Sequence, residues 1–383
     1  MNWTRNFSMM STQPLPIGTS PSTGLPGLLD DQTRELIDVI IFCGLLPVVF
    51  LMGLAGNVMS LVVLLVQGTT ETTNVILIGL TITDLVYVIV WYVPRLGCIL
   101  EHFHPLFVVN MEAFGTAFIH FSLSYLLGRV SACFVCLVAL ERYLAVLHPF
   151  KAARIMSRSR VLAACVMIYV FVFVLGAFQF MIFDIDSVYH PAFNTTVLAV
   201  VYTSFMEENP EFIEYYTDVV TWFLYRVVPL FFVLFCTRSI LVALRKRYSD
   251  LMKMRPGKEE NDKRLEQQKI TKMLICVCIV FIVCTFPGTV YHLAFRLVPD
   301  YGFSLLGRYK NMANIMASLV YLFELTNSSI NFILYMATSK KFSMTYRRIF
   351  LCGWRVKKGE ITSSIRQNTE NVGLSSISES QMD

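Results

Sequence analysis

Apolar runs long enough to cross a bilayer recur along this chain, and they restrict its fold more than any other feature. A helix needs about 20 mostly apolar residues to span the hydrocarbon core, because each residue advances it by about 1.5 Å. Seven stretches meet that length: Leu36–Val66, Val75–Ile99, Ala113–Leu147, Val161–Phe183, Val219–Leu244, Ile270–Val298 and Asn311–Ala337. Backbone groups in lipid must find partners within their own segment, so these are helices rather than strands. The expected fold class is all-α, a seven-transmembrane helix bundle followed by a short amphipathic eighth helix over Lys340–Leu351. Pro47, Pro94, Pro229 and Pro287 fall inside four spans, where a membrane helix tolerates a kink. Composition agrees: 55% of residues are hydrophobic and 15% charged, against about 25% charged in an average soluble domain.

Basic residues set the expected orientation. Lys151, Arg154, Arg158 and Arg160 follow the third span; Arg245, Lys246, Arg247, Lys253, Arg255, Lys258, Lys263 and Arg264 follow the fifth; Lys340, Lys341, Arg347 and Arg348 follow the seventh. The loop Ile182–Asp218 contains neither Lys nor Arg. These loops belong inside, which puts the N-terminus outside and the C-terminus in the cytoplasm of a plasma-membrane protein. The net charge of +5 is thus a topology signal, and no nucleic-acid motif accompanies it. Three parts are expected: residues 1–35 as an extracellular disordered tail, 36–351 as the bundle and 352–383 as a cytoplasmic tail. No apolar stretch precedes Leu36, so the first span is expected to serve as the insertion signal. Asn2, Asn6 and Asn194 head Asn-X-Ser/Thr triplets on the outer side and are candidate glycosylation acceptors.

Nine of the ten cysteines lie in the spans, read as small buried hydrophobes, and none has zinc-ligand spacing. Cys352 follows the basic amphipathic stretch at the membrane and is a candidate palmitoylation site, against the plainer reading of a free thiol. Clusters at Thr362–Ser364 and Ser375–Ser380 are candidate phosphorylation sites. No nucleophile–base pair or phosphate loop is present, and an enzyme is not expected.

Ionisable and polar groups inside a membrane are costly, so each is a functional candidate. Asp84, Ser131, Asn327, Ser328 and Asn331 could hold a monovalent cation or a water cluster, or simply bond the helices together. At the inner end of the third span stand Glu141-Arg142-Tyr143 and then His148-Pro149-Phe150. An arginine held by its neighbouring carboxylate and released to a partner makes a two-state switch.

These residues carry a resemblance. Gly56-Asn57, Leu80-Thr-Ile-Thr-Asp84, Glu141-Arg142-Tyr143, Pro229, Phe281…Cys284-Thr-Phe-Pro287 and Asn331-Phe-Ile-Leu-Tyr335 look like the signatures of rhodopsin-like (class A) G-protein-coupled receptors, over about Leu36–Leu351. Ala139–Ala152 and Asn327–Tyr335 resemble invertebrate FMRFamide-type neuropeptide receptors, and to a lesser degree molluscan chemosensory receptors. The resemblance implies a receptor for an extracellular ligand, a small cationic RFamide-like peptide, that activates a heterotrimeric G protein. It implies an allosteric sodium pocket at Asp84, Ser131, Asn327 and Asn331, with no other cofactor. It also implies a switch at Glu141, Arg142, Tyr143 and Tyr335, with Phe150 anchoring the G-protein α subunit. Membrane lipid and, through a phosphorylated tail, arrestin complete the expected partners. A chemosensory receptor of the same fold and a membrane transporter are the alternatives.

Several positions depart from the family pattern. The usual disulfide from the third span to the second outer loop is missing: Ala117 fills the helix position and Ile182–Asp218 has no cysteine. Cys43 and Cys98 could bridge instead, but free thiols are the expectation. Thr285 replaces the toggle tryptophan, Thr237 the fifth-span tyrosine, and Gln267 the acidic clamp at the base of the sixth span; a fourth-span tryptophan is absent. Ser124 stands where amine receptors carry an aspartate. At pocket depth the candidate ligand-binding residues are Trp91, Arg95, His120, Ser124, Tyr125, Arg129, Tyr291, His292, Tyr321 and Glu324. Arg129 and Glu324 either pair with each other, or Glu324 is free for a cationic ligand. Asp184, Asp186, Glu207, Glu208, Glu211, Glu214 and Asp218 make the outer loop acidic and would concentrate cations.

Overall fold

The computed structural model describes residues 29–100, 103–251, 258–297 and 309–352. Six helices are long and apolar enough to cross a membrane: Asp31–Gln67, Thr72–Arg95, Pro105–Leu147, Arg158–Met181, Val219–Lys246 and Ile270–Ala294. The seventh is Lys310–Ser329, broken at Ile330 and resumed as Asn331–Thr338. It is the most polar of the set because its inward face carries Ser318, Glu324, Asn327, Ser328 and Asn331. The fifth and sixth helices run on past the bilayer to Leu251 and from Lys258, as the mixed charges of the third inner loop imply.

The first helix begins four residues earlier than the expected tail boundary at 35. Asp30 caps it, accepting from the Thr33 N–H at 2.9 Å and the Thr33 hydroxyl at 2.6 Å. Those two bonds stabilise the charged form and hold the Asp30 carboxyl below its ordinary range. The tails with Asn2, Asn6 and the Ser/Thr clusters lie outside the described residues.

Burial separates the helices into a centre and a rim. In the second helix 61% of the apolar window is inside the bundle, and in the first and fourth only 22%. Leu162, Val166, Val170 and Val174 of the fourth helix recur every four residues and are all exposed, a stripe facing lipid. The core joins Leu77, Leu80, Leu126, Val130, Phe134, Val138, Leu274, Phe281 and Tyr335. Gly56 lets the first helix approach the break in the seventh, since a Cβ there would lie 2.9 Å from Phe332 Cβ.

An eighth helix, Lys340–Tyr346 with a wider turn through Cys352, follows as expected. Ser339 caps it, Phe342 is buried against Tyr335 and Phe332, and Lys341 reaches Glu71 at 2.7 Å.

The second outer loop is not irregular. β1 (Phe183–His190) and β2 (Thr195–Tyr202) form an antiparallel hairpin with Phe183 opposite Tyr202 and His190 opposite Thr195. Its turn places Asn194 at φ +49, a left-handed conformation that asparagine adopts more readily than most residues. Alternating Val, Tyr, Thr and Ile residues suit such a ribbon, but acidic residues and a Pro in the turn disguise it in the sequence.

Candidate functional site

The inner end of the third helix holds the residues expected to act as a switch in a closed, hydrogen-bonded arrangement. Glu141 and Arg142 form a buried ion pair through two guanidinium N–H groups. Thr73 on the second helix joins it: its hydroxyl donates to Glu141 Oε1 at 2.9 Å and accepts from Arg142 Nη2. Thr73 is a partner that sequence reasoning missed, because nothing in the chain links position 73 to position 142. A cleft of about 390 Å³ opens beside the pair, lined in part by Thr72, Thr73, Glu141, Arg142, Ala152 and Met156. Tyr143 meets His148 edge-on and packs at a tilt against Phe235. Phe150, at the start of the short helix Pro149–Ile155, is 94% exposed. Tyr335 is fully buried, and its hydroxyl has no hydrogen-bond partner among the described residues. The side chain of Gln267 lies outside the described residues.

Halfway through the bundle, Asp84 is completely buried. Ser131 donates to one carboxylate oxygen at 2.7 Å and Asn331 Nδ2 to the other at 2.8 Å. Ser328 supplies a further hydroxyl beside the carboxylate, and its carbonyl accepts from Asn57 at 2.9 Å. Asn327, expected in this group, is half-buried; the hydrogen bonds described at Asp84 come from Ser131, Ser328 and Asn331. Ser328 and Asn331, three residues apart across the break at Ile330, share this inward face. The fourth helix has no tryptophan and uses Tyr169 instead, whose hydroxyl meets Thr83 at 2.6 Å and whose ring packs on Phe134.

The outer half is built differently. Wide, π-helical turns occupy Ile40–Leu45, Gly115–Ser124, Tyr215–Thr221 and Phe223–Val227. Such turns are uncommon and concentrate at functional sites. Ser122 and Ser124 bond back to the carbonyls of Ala117 and Ile119, five residues earlier. Ser124 thereby turns its hydroxyl to its own helix.

Several expected pocket residues converge. Arg95 lies over the Trp91 ring at 4.1 Å and near Tyr321, whose ring is 5.8 Å from that of Trp91. Tyr125 bonds Thr221 of the fifth helix at 2.7 Å. Arg129 donates to the Tyr125 carbonyl at 2.7 Å and more weakly to Thr221. Tyr291 is buried, whereas His292 beside it is exposed; the side chain of His120 lies outside the described residues.

Glu324 pairs neither with Arg129 nor with open space. It forms an ion pair with Arg226 of the fifth helix, which corrects both readings of that carboxylate. Gly288 admits this contact, since a Cβ on the sixth helix would overlap the Arg226 guanidinium. Arg226 was legible as an ionisable residue inside a span, but its neighbours in sequence are ordinary.

The cysteine expectation is also corrected. Cys43 and Cys98 form a disulfide, with Cα atoms 5.6 Å apart. Pro94 ends the second helix in a tight turn, Val93–Arg95, and the short helix Gly97–Leu100 brings Cys98 to the first helix. The hairpin is instead tied to the third helix by Asn110, whose side-chain oxygen accepts from the Leu198 N–H at 2.8 Å. The third helix starts at Pro105, about two turns before Ala113, and only that extension brings Asn110 to the hairpin.

A closed polar cluster at the inner end, a buried carboxylate at mid-depth and ionisable and aromatic side chains gathered in the outer half are what this seven-helix bundle offers for function. A family model described as "7 transmembrane receptor (rhodopsin family)" matches residues 56–335, and the chain belongs to that family. Its similar proteins include galanin receptor 2a of Danio rerio, 26% identical over 83% of this chain and 80% of that protein. Neuromedin-U receptor 2 of Rattus norvegicus is 25% identical over 80% of this chain and 74% of its own length. The FMRFamide receptor of Drosophila melanogaster is 25% identical over 87% of this chain and 59% of its own.

Proposed function

We propose that this chain is a plasma-membrane receptor, N-terminus outside, that binds a small extracellular peptide and activates a heterotrimeric G protein. The observation that carries the reading is the closed Glu141–Arg142–Thr73 cluster beside an inner cleft, with Phe150 exposed two residues before Ala152 of its lining. An arginine held this way is released when the helices separate, and an exposed phenylalanine supplies an apolar anchor for a partner groove. The relatives' names point to peptide ligands at low identity. Asp184, Asp186, Glu207, Glu208 and Glu211 are exposed around the outer loop, and favour a peptide with basic residues at its mouth. Screening a peptide library on cells expressing the chain, with calcium and cyclic-AMP readouts, tests the reading; substrate flux without nucleotide exchange would favour a transporter.

The Asp84 cluster fits a hard monovalent cation, being a carboxylate with hydroxyl and amide groups around it. Asp84, Ser131 and Ser328 would supply the oxygens, with Asn331 and Asn327 at the edge. If sodium prefers the closed state, it lowers agonist affinity. Asp84→Asn is expected to abolish that dependence, and a variant that still responds to sodium leaves the cluster a structural one.

Asn194 is exposed at the hairpin tip and accepts from Tyr189 through its oxygen, which leaves its nitrogen for a glycan. Glycosylation at Asn2 and Asn6, palmitoylation at Cys352 and arrestin binding to a phosphorylated tail complete the reading.

A further inference from the structure

Three arginines and a single ion-paired carboxylate meet in the interior of the outer half. Arg95, Arg129 and Arg226 reach inward from the second, third and fifth helices. Glu324 is the carboxylate ion-paired there, with Arg226, while Glu112 lies within electrostatic reach of Arg95. Arginine does not shed its proton in proteins, so an uncompensated guanidinium stays charged where solvation is poor.

Arg129 comes nearest to that state: Glu324 attracts it less than Arg226 repels it, and its close neighbours are the rings of Tyr125 and Tyr225. Its hydrogen bonds go to neutral oxygens, the Tyr125 carbonyl and the Thr221 hydroxyl, and its Nε is buried with no partner. Arg226 is near enough for the two guanidinium charges to repel each other. Glu324 and Arg226 keep side-chain exposures of 26% and 22%, and Gly288 against Arg226 shows that the pair crosses the inner face of the sixth helix. Neither side chain is sealed by the other. Gly288 lies three residues from Thr285, so no bulky side chain at either position covers the pair.

We propose that Arg129 and Arg226 form a recognition site for a carboxylate of the ligand, with Glu324 as the resident counter-ion that the ligand's carboxylate competes with. The inference rests on the reading of the chain as a receptor for an extracellular ligand and names the chemistry of its buried end. Guanidinium forks suit a carboxylate because both oxygens can be bonded at once. A carboxylate shared by Arg129 and Arg226 removes the unpaired charge and loosens the link between the fifth and seventh helices. The ligand is then amphoteric, basic where it meets the acidic hairpin and acidic where it meets the arginines.

The test uses the purified full-length chain in lipid nanodiscs and three probes: N-acetylphenylalanine, its neutral amide, and N-acetyl-aspartyl-phenylalanine amide. Thermal stability is followed as each is titrated. Either acid or both should raise the melting temperature while the amide does not; the first acid reports a terminal carboxylate, the second a side-chain one. Glu324→Gln, which removes the competitor, should tighten acid binding about tenfold. Arg129→Gln leaves the Arg226–Glu324 pair intact and should erase the preference for acid over amide, so it carries the test if Glu324→Gln does not fold. No response to either acid, equal responses to acid and amide, or a preference that survives Arg129→Gln would overturn the site. The same preparations are assayed for basal acceleration of nucleotide exchange on purified G proteins. Exchange without acid selectivity rejects the anion site alone, whereas acid selectivity without exchange on any G protein rejects the receptor reading alone.

Discussion

The inner and outer halves of this bundle solve the same packing problem by different means. Inside, the helices are α-helical apart from the break at Ile330, and adjacent ones are joined by polar contacts: Thr73 to Glu141, Thr83 to Tyr169, Ser131 and Asn331 to Asp84, Asn57 to the Ser328 carbonyl. Outside, the first, third and fifth helices widen into π turns, and the links include a disulfide, a contact to the hairpin and an ion pair: Cys43 to Cys98, Asn110 to Leu198, Arg226 to Glu324. On the proposed reading, the inner half is the part that must close the same way for any ligand, and the outer half is the part that can be rebuilt for one ligand.

Five variants sharpen that contrast. Arg142→Ala removes the one group that can leave Glu141 for a partner, and near-complete loss of ligand-driven nucleotide exchange is expected with surface expression retained. Phe150→Ala should weaken the same readout less, because it removes an anchor and leaves the switch. Signalling at full strength by both variants would remove the inner half from the mechanism.

Replacing Cys43 and Cys98 together by serine is expected to lower stability by about 2–4 kcal/mol, the usual contribution of a bridge. Thermal melts with and without reductant check it: reductant should destabilise the native chain and leave the double variant unchanged. Neutralising Glu207, Glu208 and Glu211 should slow association of a basic peptide more than it speeds dissociation. Steering acts on encounter and fades with salt, over a Debye length of about 8 Å at physiological strength. Association rates at two salt concentrations decide this, and salt-independent rates exclude steering. The smallest effect is expected from Asn110→Ala, which costs the hairpin one acceptor, about 1 kcal/mol. Faster hydrogen exchange at Leu198, with the inner helices unchanged, is the signature.

Much of the fold was legible because the bilayer permits so few solutions. Length and apolarity located the spans to within a few residues except at the start of the third, where His104-Pro105 extends the helix outward. The inner site was legible because its members lie in contiguous motifs: Glu141 beside Arg142, Asn331 four residues from Tyr335. The outer site was legible only in part. Trp91, Arg95, Tyr125, Arg129, Tyr321 and Glu324 were legible as polar or aromatic groups inside spans, but the partners each one meets were not.

The sequence by itself determined how many helices cross the membrane and which polar groups must be buried with them, because lipid cannot solvate a backbone or a charge. Only the tertiary structure decided which of those groups meet. Arg226 and Glu324 are separated by 98 positions and Cys43 and Cys98 by 55. Their pairing depends on helix rotation, π turns and a proline-ended helix that move each side chain by a fraction of a turn. Among several buried charges and thiols at one depth, that rotation selects a partner, and no local pattern in the chain encodes it.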